Sequence, residues 1–546
     1  MIKKRILIAN DASFLQTGYG IYGKELLTRL HNSGRYEIAE LGCYAPTNHP
    51  AQKDIPWKFY PNAVHGQDER FSEYQSNKYN QFGAWRFNRV LLEFKPHIVF
   101  DVRDYWMSAY QEISPFRSYY TWILMPTVDS APPKREWLHT FAAADIIVPY
   151  TEWAKTILTK ECGSNINLFP KIVNAGINKE EFYPVEDKKS HQMKYFGKEV
   201  AITGVVMRNQ RRKIFDDLMI AFKGYLNHLL ETNNIELYNK SYLYLHSSYP
   251  EESGWDFPAL LLENGLFDKT YFSYICHTCK GWFPAKFKHT AIMCPSCKTK
   301  SVYMSSPNVG VKTAQLNDIY NLFDIYLQYS ICEGFGMPQI EAAACGLQIA
   351  SVDYSAMSEI VENLDGIKVP VKTMFRELES NANRALPDNQ AAADILFNFF
   401  TQVSAETKAN NSIQIRHKCL EYYSWDKTYE IWDECFQTVD IKNKISWDTP
   451  MRPTNHENMK VPPNLQPKEF VRYICQHILN EPDLAETAVG QNLVSQLLCG
   501  LSARDGMIKH YSQNDALKTF ELLLNSKLTY GHLKEHPEFL VSEDFI

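Results

Sequence analysis

The chain has 546 residues, of which 45% are hydrophobic and 22% are charged, and its formal net charge is −6. This composition excludes a wholly disordered chain, and the negative charge excludes a generally basic surface, so any contact with a polyanion has to be local. The N-terminus lacks an apolar stretch long enough for a signal peptide, and no run approaches the roughly 20 apolar residues of a membrane span. We therefore expect a cytoplasmic protein without a membrane span.

The first part of the chain alternates short apolar runs with helical patterns. The predicted strands are residues 4–10, 97–101, 120–125, 145–149 and 172–174, and the first predicted helix covers 20–30. Strands that alternate with helices predict βαβ units and a parallel sheet. In such sheets, ligands bind beyond the carboxyl ends of the strands.

A second series of the same kind follows. Its predicted strands are residues 200–207, 241–246, 324–329 and 347–352, and a helix is predicted over 216–231. The fold class is therefore predicted as α/β, with one domain over 1–190 and another over 195–440. Residues 184–198 are polar, as a linker between the two domains would be.

Four of the twelve cysteines interrupt the second series as two C-x2-C pairs. They are Cys276, Cys279, Cys294 and Cys297, with fourteen residues between the pairs. This is the spacing of a four-cysteine zinc ribbon, which predicts a structural Zn²⁺ in an insertion over 270–303. Four cysteine ligands leave no open position on the metal, so a catalytic zinc is not expected. The other eight cysteines are scattered and are expected to be buried apolar residues.

The same insertion is locally basic and aromatic. Between residues 269 and 300 there are six lysines and neither Asp nor Glu. Six aromatic residues are interleaved with them, namely Tyr271, Phe272, Tyr274, Trp282, Phe283 and Phe287. Lysines for phosphates and aromatic rings for stacking favour contact with nucleic acid such as DNA. The alternative is a solvated finger whose aromatic rings fill its own small core, or one that packs on a partner protein.

The most informative stretch lies at 326–346. A buried strand leads into the loop Glu333-Gly334-Phe335-Gly336, and a helix begins near Pro338 and ends at Gly346. We expect the amides of Gly336, Met337 and Gln339 to be free at the helix N-terminus, where the helix dipole favours an anion.

Two carboxylates flank this helix N-terminus. Glu333 lies in the loop, and Glu341 lies about one turn, roughly 5 Å, into the helix. The arrangement suits a ligand with two hydroxyl-rich ends and a charged middle, as in a nucleotide sugar. The alternative is a surface turn with ordinary helix glutamates.

The pattern E-G-F-G-M-P-x-x-E-A-x-A-x-G resembles the signature of retaining glycosyltransferases with the GT-B fold, of the large family-4 type. Other stretches resemble the same family in the right order, over about residues 5–440. They are 17–20, 125–129, 144–145, 151–154, 174–177, 182–184, 208–213 and 424–425. The resemblance implies two Rossmann-like domains, an N-terminal one for the acceptor and a C-terminal one for the nucleotide-diphosphate-sugar donor, with the donor held in a crevice between them.

The resemblance also implies roles for single residues. Glu341 would bind the nucleotide ribose, and Glu333 would contact the transferred sugar. The remaining implied donor ligands are the backbone of Phe335, Gly336 and Met337, the cations Arg208, Arg212 and Lys213 for the diphosphate, and the N-terminal loop Gly18, Tyr19 and Gly20. Such enzymes need no essential catalytic metal, and the new bond is expected on the face that the nucleotide leaves.

The acceptor side is less clearly marked. Many relatives have a histidine after the strand that ends here near Asp101, whereas this chain reads Asp101-Val102-Arg103-Asp104. Asp104 and Asp129 are the candidates that would orient an acceptor hydroxyl. An ion pair between Asp104 and Arg103 is the alternative role.

Past residue 440 the character of the chain changes. Five prolines between 446 and 468 predict an extended spacer, and 450–546 is predicted as a helical extension. As a whole, the sequence predicts a glycosyltransferase whose acceptor is a hydroxymethylated DNA base, as in viral DNA modification inside a host cytoplasm. The alternatives are a glycan, a lipid-linked saccharide or a protein as acceptor, or a non-catalytic protein that binds nucleotide sugars or nucleic acid.

Overall fold

A computed structural model describes residues 3–306, 309–442, 447, 462–477 and 482–486. The chain forms two compact units. The first comprises the residues up to Val173, 379–382 and the described residues from Thr428 onward, and the second comprises Asn174–Leu378 and Asn383–Lys427. Among the described residues, no helix is long and apolar enough to cross a membrane.

The first unit is built on a six-stranded sheet in the order β3-β2-β1-β4-β5-β6, in which all neighbours are parallel. Its strands are β1 Lys4–Asp11, β2 Tyr36–Pro46, β3 Lys58–Ala63, β4 Ile98–Arg103, β5 Thr121–Pro126 and β6 Ile146–Ile147. Its first helices are α1 Gly18–Asn32, α2 Phe71–Gln75, α3 Phe87–Phe94, α4 Tyr105–Ser108, α5 Arg135–Ala143 and α6 Glu152–Cys162. All residues of β4 and β5 are buried, as expected of parallel strands covered on both faces.

Four of the five strands predicted in this unit are confirmed, and the fifth, 172–174, is wrong. There, the Val173 amide donates to the Pro149 carbonyl at 3.0 Å without forming a strand. The sequence did not reveal β2, because Glu40 and Gly42 interrupt its apolar run. Glu40 is buried all the same, since the backbone and hydroxyl of Ser13 and the indole of Trp57 donate to it at 2.7–2.8 Å.

The second unit is built on an eight-stranded sheet in the order β10-β9-β8-β7-β12-β13-β14, with β11 paired to β9. The strands of this sheet are β7 Ala201–Val206, β8 Ser241–His246, β9 Thr270–Cys276, β10 Trp282–Lys286, β11 Val302–Met304, β12 Ile325–Gln328, β13 Gln348–Val352 and β14 Ile367–Val369. Strands β15 Val371–Arg376 and β16 Asn383–Pro387 of the same unit form a separate antiparallel pair. Its helices are α7 Lys188–Phe196, α8 Phe215–Glu231, α9 Ile235–Lys240, α10 Phe257–Asn264, α11 Thr313–Tyr320, α12 Met337–Ala344, α13 Ser355–Asn363, α14 Asn389–Thr401 and α15 Ala405–Tyr422. All four strands predicted here are confirmed.

The segment predicted as a linker, 184–198, contains helix α7, which belongs to the second unit. The side chain of Gln192 donates to the Leu322 carbonyl at 2.9 Å, and the ring of His191 lies 2.9 Å from the Asp318 carbonyl. These contacts use the polar side chains that suggested a linker. The second unit therefore starts at Asn174, before the predicted boundary at 195.

The cysteine ribbon is part of the central sheet of the second unit. Strand β9 pairs in parallel with β8 on one side, and antiparallel with β10 and β11. The predicted insertion over 270–303 thus shares a strand with the Rossmann-like sheet and is not a separate small fold.

After Tyr422 the chain continues as α16 Trp425–Thr438 and, further on, α17 Pro467–His477. The described part of the predicted extension 450–546 is therefore helical. The rest of that prediction, and most of the predicted spacer, lie outside the described residues.

Candidate functional site

The candidate donor loop, residues 329–336, joins β12 to α12 at the carboxyl edge of the second sheet. Gly336 caps the helix with φ +100°, a conformation that favours glycine, and a side chain there would also meet the Gln339 amide at 2.6 Å. The prediction that the backbone amide of Gln339 is free is wrong, because this N–H donates to the Gly336 carbonyl at 3.0 Å. Gly336 and Met337 are half-buried at the positive end of the helix dipole.

Glu333 is the centre of this loop and is only 4% exposed. Its carboxylate forms ion pairs with Arg212 and Lys213, and it accepts a hydrogen bond from the Gln328 amide at 3.0 Å. Its backbone amide donates to the Ser355 hydroxyl at 3.0 Å. The predicted sugar-binding carboxylate and two of the three predicted diphosphate cations are therefore in contact.

The backbone fixes this contact from both sides. The Arg212 carbonyl, in the loop after β7, accepts hydrogen bonds at 3.0 Å from the Ile331 amide and from the Ser330 hydroxyl. The Arg212 side chain remains 39% exposed, whereas that of Lys213 is 8% exposed. Two cations and one carboxylate leave one net positive charge beside the N-terminus of α12, which suits a phosphate.

Glu341 lies on α12 and is bound by a buried tyrosine. The Tyr320 hydroxyl donates to Oε2 of Glu341 at 2.6 Å, and burial raises the pKa of Glu341 to about 7. The other oxygen, Oε1, has no hydrogen-bond partner in the described part of the chain. The geometry leaves one carboxylate oxygen for a ligand hydroxyl while Tyr320 holds the other.

Arg208 lies apart from the Glu333 cluster and is bound to Glu251. Its guanidinium contacts both carboxylate oxygens at 2.9–3.1 Å, and the Ser248 hydroxyl donates to the same carboxylate. The Arg208 side chain is 55% exposed. A phosphate that binds Arg208 would compete with Glu251.

The first unit brings the predicted acceptor-side residue Asp104 into contact with Tyr19, which was predicted as a donor ligand. The Tyr19 hydroxyl, at the start of α1, lies 3.1 Å from the Asp104 carboxylate and 2.8 Å from the Thr127 hydroxyl. Burial and the neighbouring carboxylate of Asp104 raise the pKa of Tyr19 well above its ordinary value, so it stays protonated. The cluster follows β1, β4 and β5, at the carboxyl edge where ligands bind in such sheets.

The other predictions in this unit fare differently. The alternative ion pair of Asp104 with Arg103 is wrong, because Arg103 pairs with Asp101 at 2.6 Å, fully buried. Asp129 accepts a hydrogen bond from the Ser130 hydroxyl at 2.9 Å.

Gly20 is buried beside the Leu15 carbonyl, 2.5 Å from where a Cβ would stand, so close backbone packing explains this glycine. Gly18 and Tyr19 begin α1, which Thr17 caps through the Gly20 amide at 3.0 Å.

Several site residues were missed by sequence reasoning. Gln328, Ser355 and Tyr320 contact the two glutamates of the second unit, and Thr127 contacts Tyr19 of the first unit. No local pattern marks Ser355, Tyr320 or Thr127. Gln328 had one usable signal, since a polar side chain at the end of an otherwise apolar strand, one loop before Glu333, points toward the carboxyl edge. Phe335 packs its ring on that of Tyr423 at 5.8 Å between centroids, and its backbone contact with a ligand stays a prediction.

The four cysteines of the ribbon come together as predicted. Their sulfur atoms all lie within 4.8 Å of one another, with Cys276 and Cys297 at 3.5 Å and Cys279 and Cys294 at 3.7 Å. Tetrahedral zinc with sulfur ligands at about 2.3 Å requires separations of about 3.8 Å, so the set fits this metal. Hydrogen bonds from Ser301 and from the Cys279 amide lower the pKa of Cys276 to about 5, which favours the thiolate that zinc needs.

The aromatic residues of the ribbon do not form an exposed stacking surface. Phe272 and Tyr274 are buried, Phe287 joins the core of the second unit, and Trp282 stacks on Tyr195 at 4.8 Å. Lys269 and Lys286 are bound to backbone carbonyls and lie over tyrosine rings. The exposed lysines are Lys280, Lys288, Lys298 and Lys300.

The candidate donor loop lies within a stretch that is similar to a known family. Residues 309–395 match the family model described as "Glycosyl transferases group 1". A curated relative is the GtfA subunit of UDP-N-acetylglucosamine–peptide N-acetylglucosaminyltransferase from Streptococcus parasanguinis. It is 28% identical over 127 residues, which are 23% of this chain and 23% of that protein. The chain thus matches about a quarter of the length of this relative.

Solved structures resemble most of the chain. Sucrose-phosphate synthase from Thermosynechococcus elongatus has 15% identity and a TM-score of 0.54, over 80% of this chain and 98% of that one. HepE from Anabaena, solved with UDP and glucose, has 12% identity and a TM-score of 0.54, over 80% and 100%. At these identities the likeness shows the fold, which is GT-B with two Rossmann-like sheets. The group 1 domain and this fold together support a glycosyltransferase.

Proposed function

We propose, from the group 1 glycosyltransferase domain and the GT-B fold, that this protein transfers a sugar from a nucleoside diphosphate sugar to an acceptor hydroxyl and retains the anomeric configuration. The observation that carries the proposal is the environment of Glu333. Its carboxylate is held by Arg212, Lys213 and Gln328 beside the N-terminus of α12. A surface turn with ordinary helix glutamates would not bury a carboxylate between two cations.

The second unit binds the donor in this proposal. Glu333 accepts hydrogen bonds from hydroxyls of the sugar, and the half-exposed Arg212 turns to the diphosphate. The amides of Gly336 and Met337 face the same anion along the helix axis. Glu341 accepts a ribose hydroxyl on Oε1, because Tyr320 already occupies Oε2.

The chemistry then needs no group beyond these residues and the substrates. The bond between the anomeric carbon and the diphosphate oxygen breaks, and the electron pair leaves with the nucleoside diphosphate. Arg212, Lys213 and the helix dipole stabilise the negative charge that grows there. The acceptor oxygen bonds to the anomeric carbon on the same face, and its proton passes to the departing phosphate.

The first unit binds the acceptor in this proposal. Asp104 is held by the Tyr19 hydroxyl at 3.1 Å, so one carboxylate oxygen is fixed in position. Thr127 adds a hydroxyl to the same cluster. Such a group can orient an acceptor hydroxyl by accepting its proton in a hydrogen bond. We propose that Asp129 also orients an acceptor hydroxyl, solely because it follows β5.

The acceptor class remains a prediction. A hydroxymethylated DNA base is supported by the exposed ribbon lysines Lys280, Lys288, Lys298 and Lys300, but the ribbon's aromatic rings are engaged in packing. A screen of hydroxymethylated and unmodified DNA, glycans, lipid-linked saccharides and protein, scored by sugar incorporation, decides among these classes.

Catalysis is tested with a panel of UDP-, GDP- and ADP-sugars, scored by release of the nucleoside diphosphate. We expect release from one nucleotide series, and a loss of at least about 100-fold in Glu333→Gln. Glu362→Gln is the matched control, since Glu362 forms an exposed ion pair with Lys368 in the same unit. Release that is equal in wild type and Glu333→Gln would refute the assignment of Glu333, and binding without release in the wild type would favour a non-catalytic protein.

A further inference from the structure

The ribbon is defined as residues 270–304 with strands β9, β10 and β11. It is hydrogen-bonded to the candidate donor site through the residue that follows β11. Just after β11, the Ser305 hydroxyl donates to the Ser247 carbonyl at 2.6 Å, and the Tyr249 amide donates to the Ser305 carbonyl at 3.2 Å. Both partners lie in the loop that follows β8. The end of the ribbon therefore fixes the position of that loop.

The loop after β8 holds the cation Arg208. The Ser248 hydroxyl accepts from the Asn209 amide at 3.3 Å and donates to Glu251, which binds the Arg208 guanidinium. Asn209 is 1% exposed and also exchanges two hydrogen bonds with the backbone of Trp255, at 2.8 and 3.0 Å. A shift of this loop would move Arg208 and the start of the basic turn that contains Arg212.

A second connection runs from the first cysteine pair to Glu341. The Lys280 carbonyl, directly after Cys279, accepts from the Gln315 amide at 3.0 Å. Gln315 also accepts from the Lys312 amide at 2.9 Å and so caps α11. The same helix ends at Tyr320, whose hydroxyl holds Glu341 at 2.6 Å.

The second connection starts from a turn that the cysteines form. Each cysteine pair closes a tight turn in which the following lysine has a positive φ, +59° at Lys280 and +60° at Lys298. The Lys280 amide donates to the Cys276 carbonyl at 2.9 Å, and the Lys298 amide donates to that of Cys294 at 3.0 Å. Four sulfur atoms this close would share a bound zinc ion, which would fix the turn that carries the Lys280 carbonyl.

We propose that the zinc ribbon positions the donor site, so that affinity for a nucleoside diphosphate sugar depends on the zinc that its four cysteines bind. This inference rests on the proposed function and adds a role for the ribbon within it. Its packing agrees with such a role, because Trp282 stacks on Tyr195 and Phe287 is part of the unit's core. In this proposal the ribbon holds the loop after β8 and helix α11 in position and does not contact the substrate itself.

Two variants that keep the zinc ligands test the proposal. Ser305→Ala removes the bond to Ser247, and Gln315→Leu removes the bond to Lys280. We expect the dissociation constant of the preferred donor, measured by calorimetry on the full chain, to rise about three- to ten-fold in each. The KM for the donor should rise with kcat unchanged, whereas a mere loss of folded protein would lower kcat alone. Thr290→Ala, an exposed ribbon residue, is the matched control.

Zinc content and hydrogen exchange separate the possible failures. Metal analysis should give one zinc per chain in the wild type and in both variants, and chelation should speed exchange of amides in 208–213 and 313–320. Unchanged donor affinity in both zinc-loaded variants would overturn the proposal, as would exchange that is insensitive to chelation. A wild type that binds no nucleotide sugar but shows the zinc-dependent exchange would refute the proposed function and leave only the coupling between zinc and residues 208–213 and 313–320.

Discussion

Each unit buries a carboxylate that pairs with an arginine, but the arginine is buried in the first unit and partly exposed in the second. In the first unit, Arg103 and Asp101 are 1% and 0% exposed, and the guanidinium also donates to Ser108, to the Phe82 carbonyl and to Tyr110. In the second unit, Glu333 is equally buried, but its partner Arg212 is 39% exposed. An ion pair whose two partners are buried and hydrogen-bonded holds the fold together. An ion pair with one exposed partner can exchange that partner for a ligand.

The buried carboxyls repeat this contrast. The pKa of both Glu40 and Glu341 is raised to about 7 by burial. Glu40 accepts three hydrogen bonds, from Ser13 and Trp57, which engage both of its oxygens. In the described part of the chain, Glu341 accepts one hydrogen bond, from Tyr320 on Oε2. Burial therefore does not distinguish these two carboxyls, whereas the number of engaged oxygens does.

The largest expected effect is on stability, from breaking the buried ion pair of the first unit. Asp101→Asn leaves the buried Arg103 without its carboxylate and should lower the free energy of unfolding of the first unit by about 3–5 kcal/mol. Urea or thermal denaturation measures this. The control Glu25→Gln removes an i,i+4 ion pair with Arg29 on α1 and should cost no more than about 0.5 kcal/mol. Equal losses in the two variants would contradict the structural role of Asp101.

Breaking the ion pair between Arg212 and Glu333 should lower activity rather than stability. Arg212→Gln should lower nucleoside diphosphate release by about 10²–10³-fold while the melting temperature stays near that of the wild type. Arg208→Gln should have a smaller effect, because Arg208 is already bound to Glu251 and gives up that partner to reach a phosphate. Comparison of kcat/KM in the two variants measures this. A larger loss in Arg208→Gln would reverse the roles assigned here.

These first two predictions show what the sequence could and could not supply. The spacing of Glu333, Gly336 and Glu341, and of the four cysteines, is local, and each of these residues lies where it was expected. The partners are set by tertiary packing, so nothing near Glu341 in the chain pointed to Tyr320, and nothing near Arg208 pointed to Glu251. Strand β2 was missed because Glu40 interrupts its apolar run in the sequence, although Glu40 is buried in the structure.

The pH dependence of donor binding should distinguish the two buried carboxyls. Because the pKa of Glu341 is about 7, its ionised fraction rises from about one-tenth at pH 6 to about nine-tenths at pH 8. If the carboxylate accepts a ribose hydroxyl, donor affinity should rise about ten-fold over this range, and Glu341→Gln should abolish the rise. A nucleoside diphosphate sugar is the right probe, since its diphosphate does not titrate there.

Glu40→Gln is the control for this experiment. It should leave the pH profile of donor binding unchanged, because Glu40 lies in the first unit, outside the proposed donor site, and its oxygens are bound by Ser13 and Trp57. For stability, a raised carboxyl pKa stabilises the folded state below pH 4.5 and loses this contribution as the pH rises through 7. Glu40→Gln should therefore flatten the loss of stability over that range. A donor profile that is the same in the wild type and in Glu341→Gln would remove Glu341 from the binding site.

The smallest expected effect concerns the residue that holds Glu341. Tyr320→Phe removes one hydrogen bond and should weaken donor binding by about two- to ten-fold. It should also shift the midpoint of the pH profile upward, because the Tyr320 hydroxyl lowers the pKa of Glu341. Calorimetric titration across pH 6–8 measures both effects. An unchanged midpoint would show that Tyr320 does not act through Glu341.

The most direct test of the donor site is a crystal structure of the wild-type chain with a non-transferable nucleoside diphosphate sugar. We predict that sugar hydroxyls lie within about 3 Å of the Glu333 carboxylate, that Arg212 contacts the diphosphate, and that a ribose hydroxyl contacts Glu341. A nucleotide sugar bound elsewhere on the second unit, with Glu333 still enclosed by Arg212 and Lys213, would contradict the account.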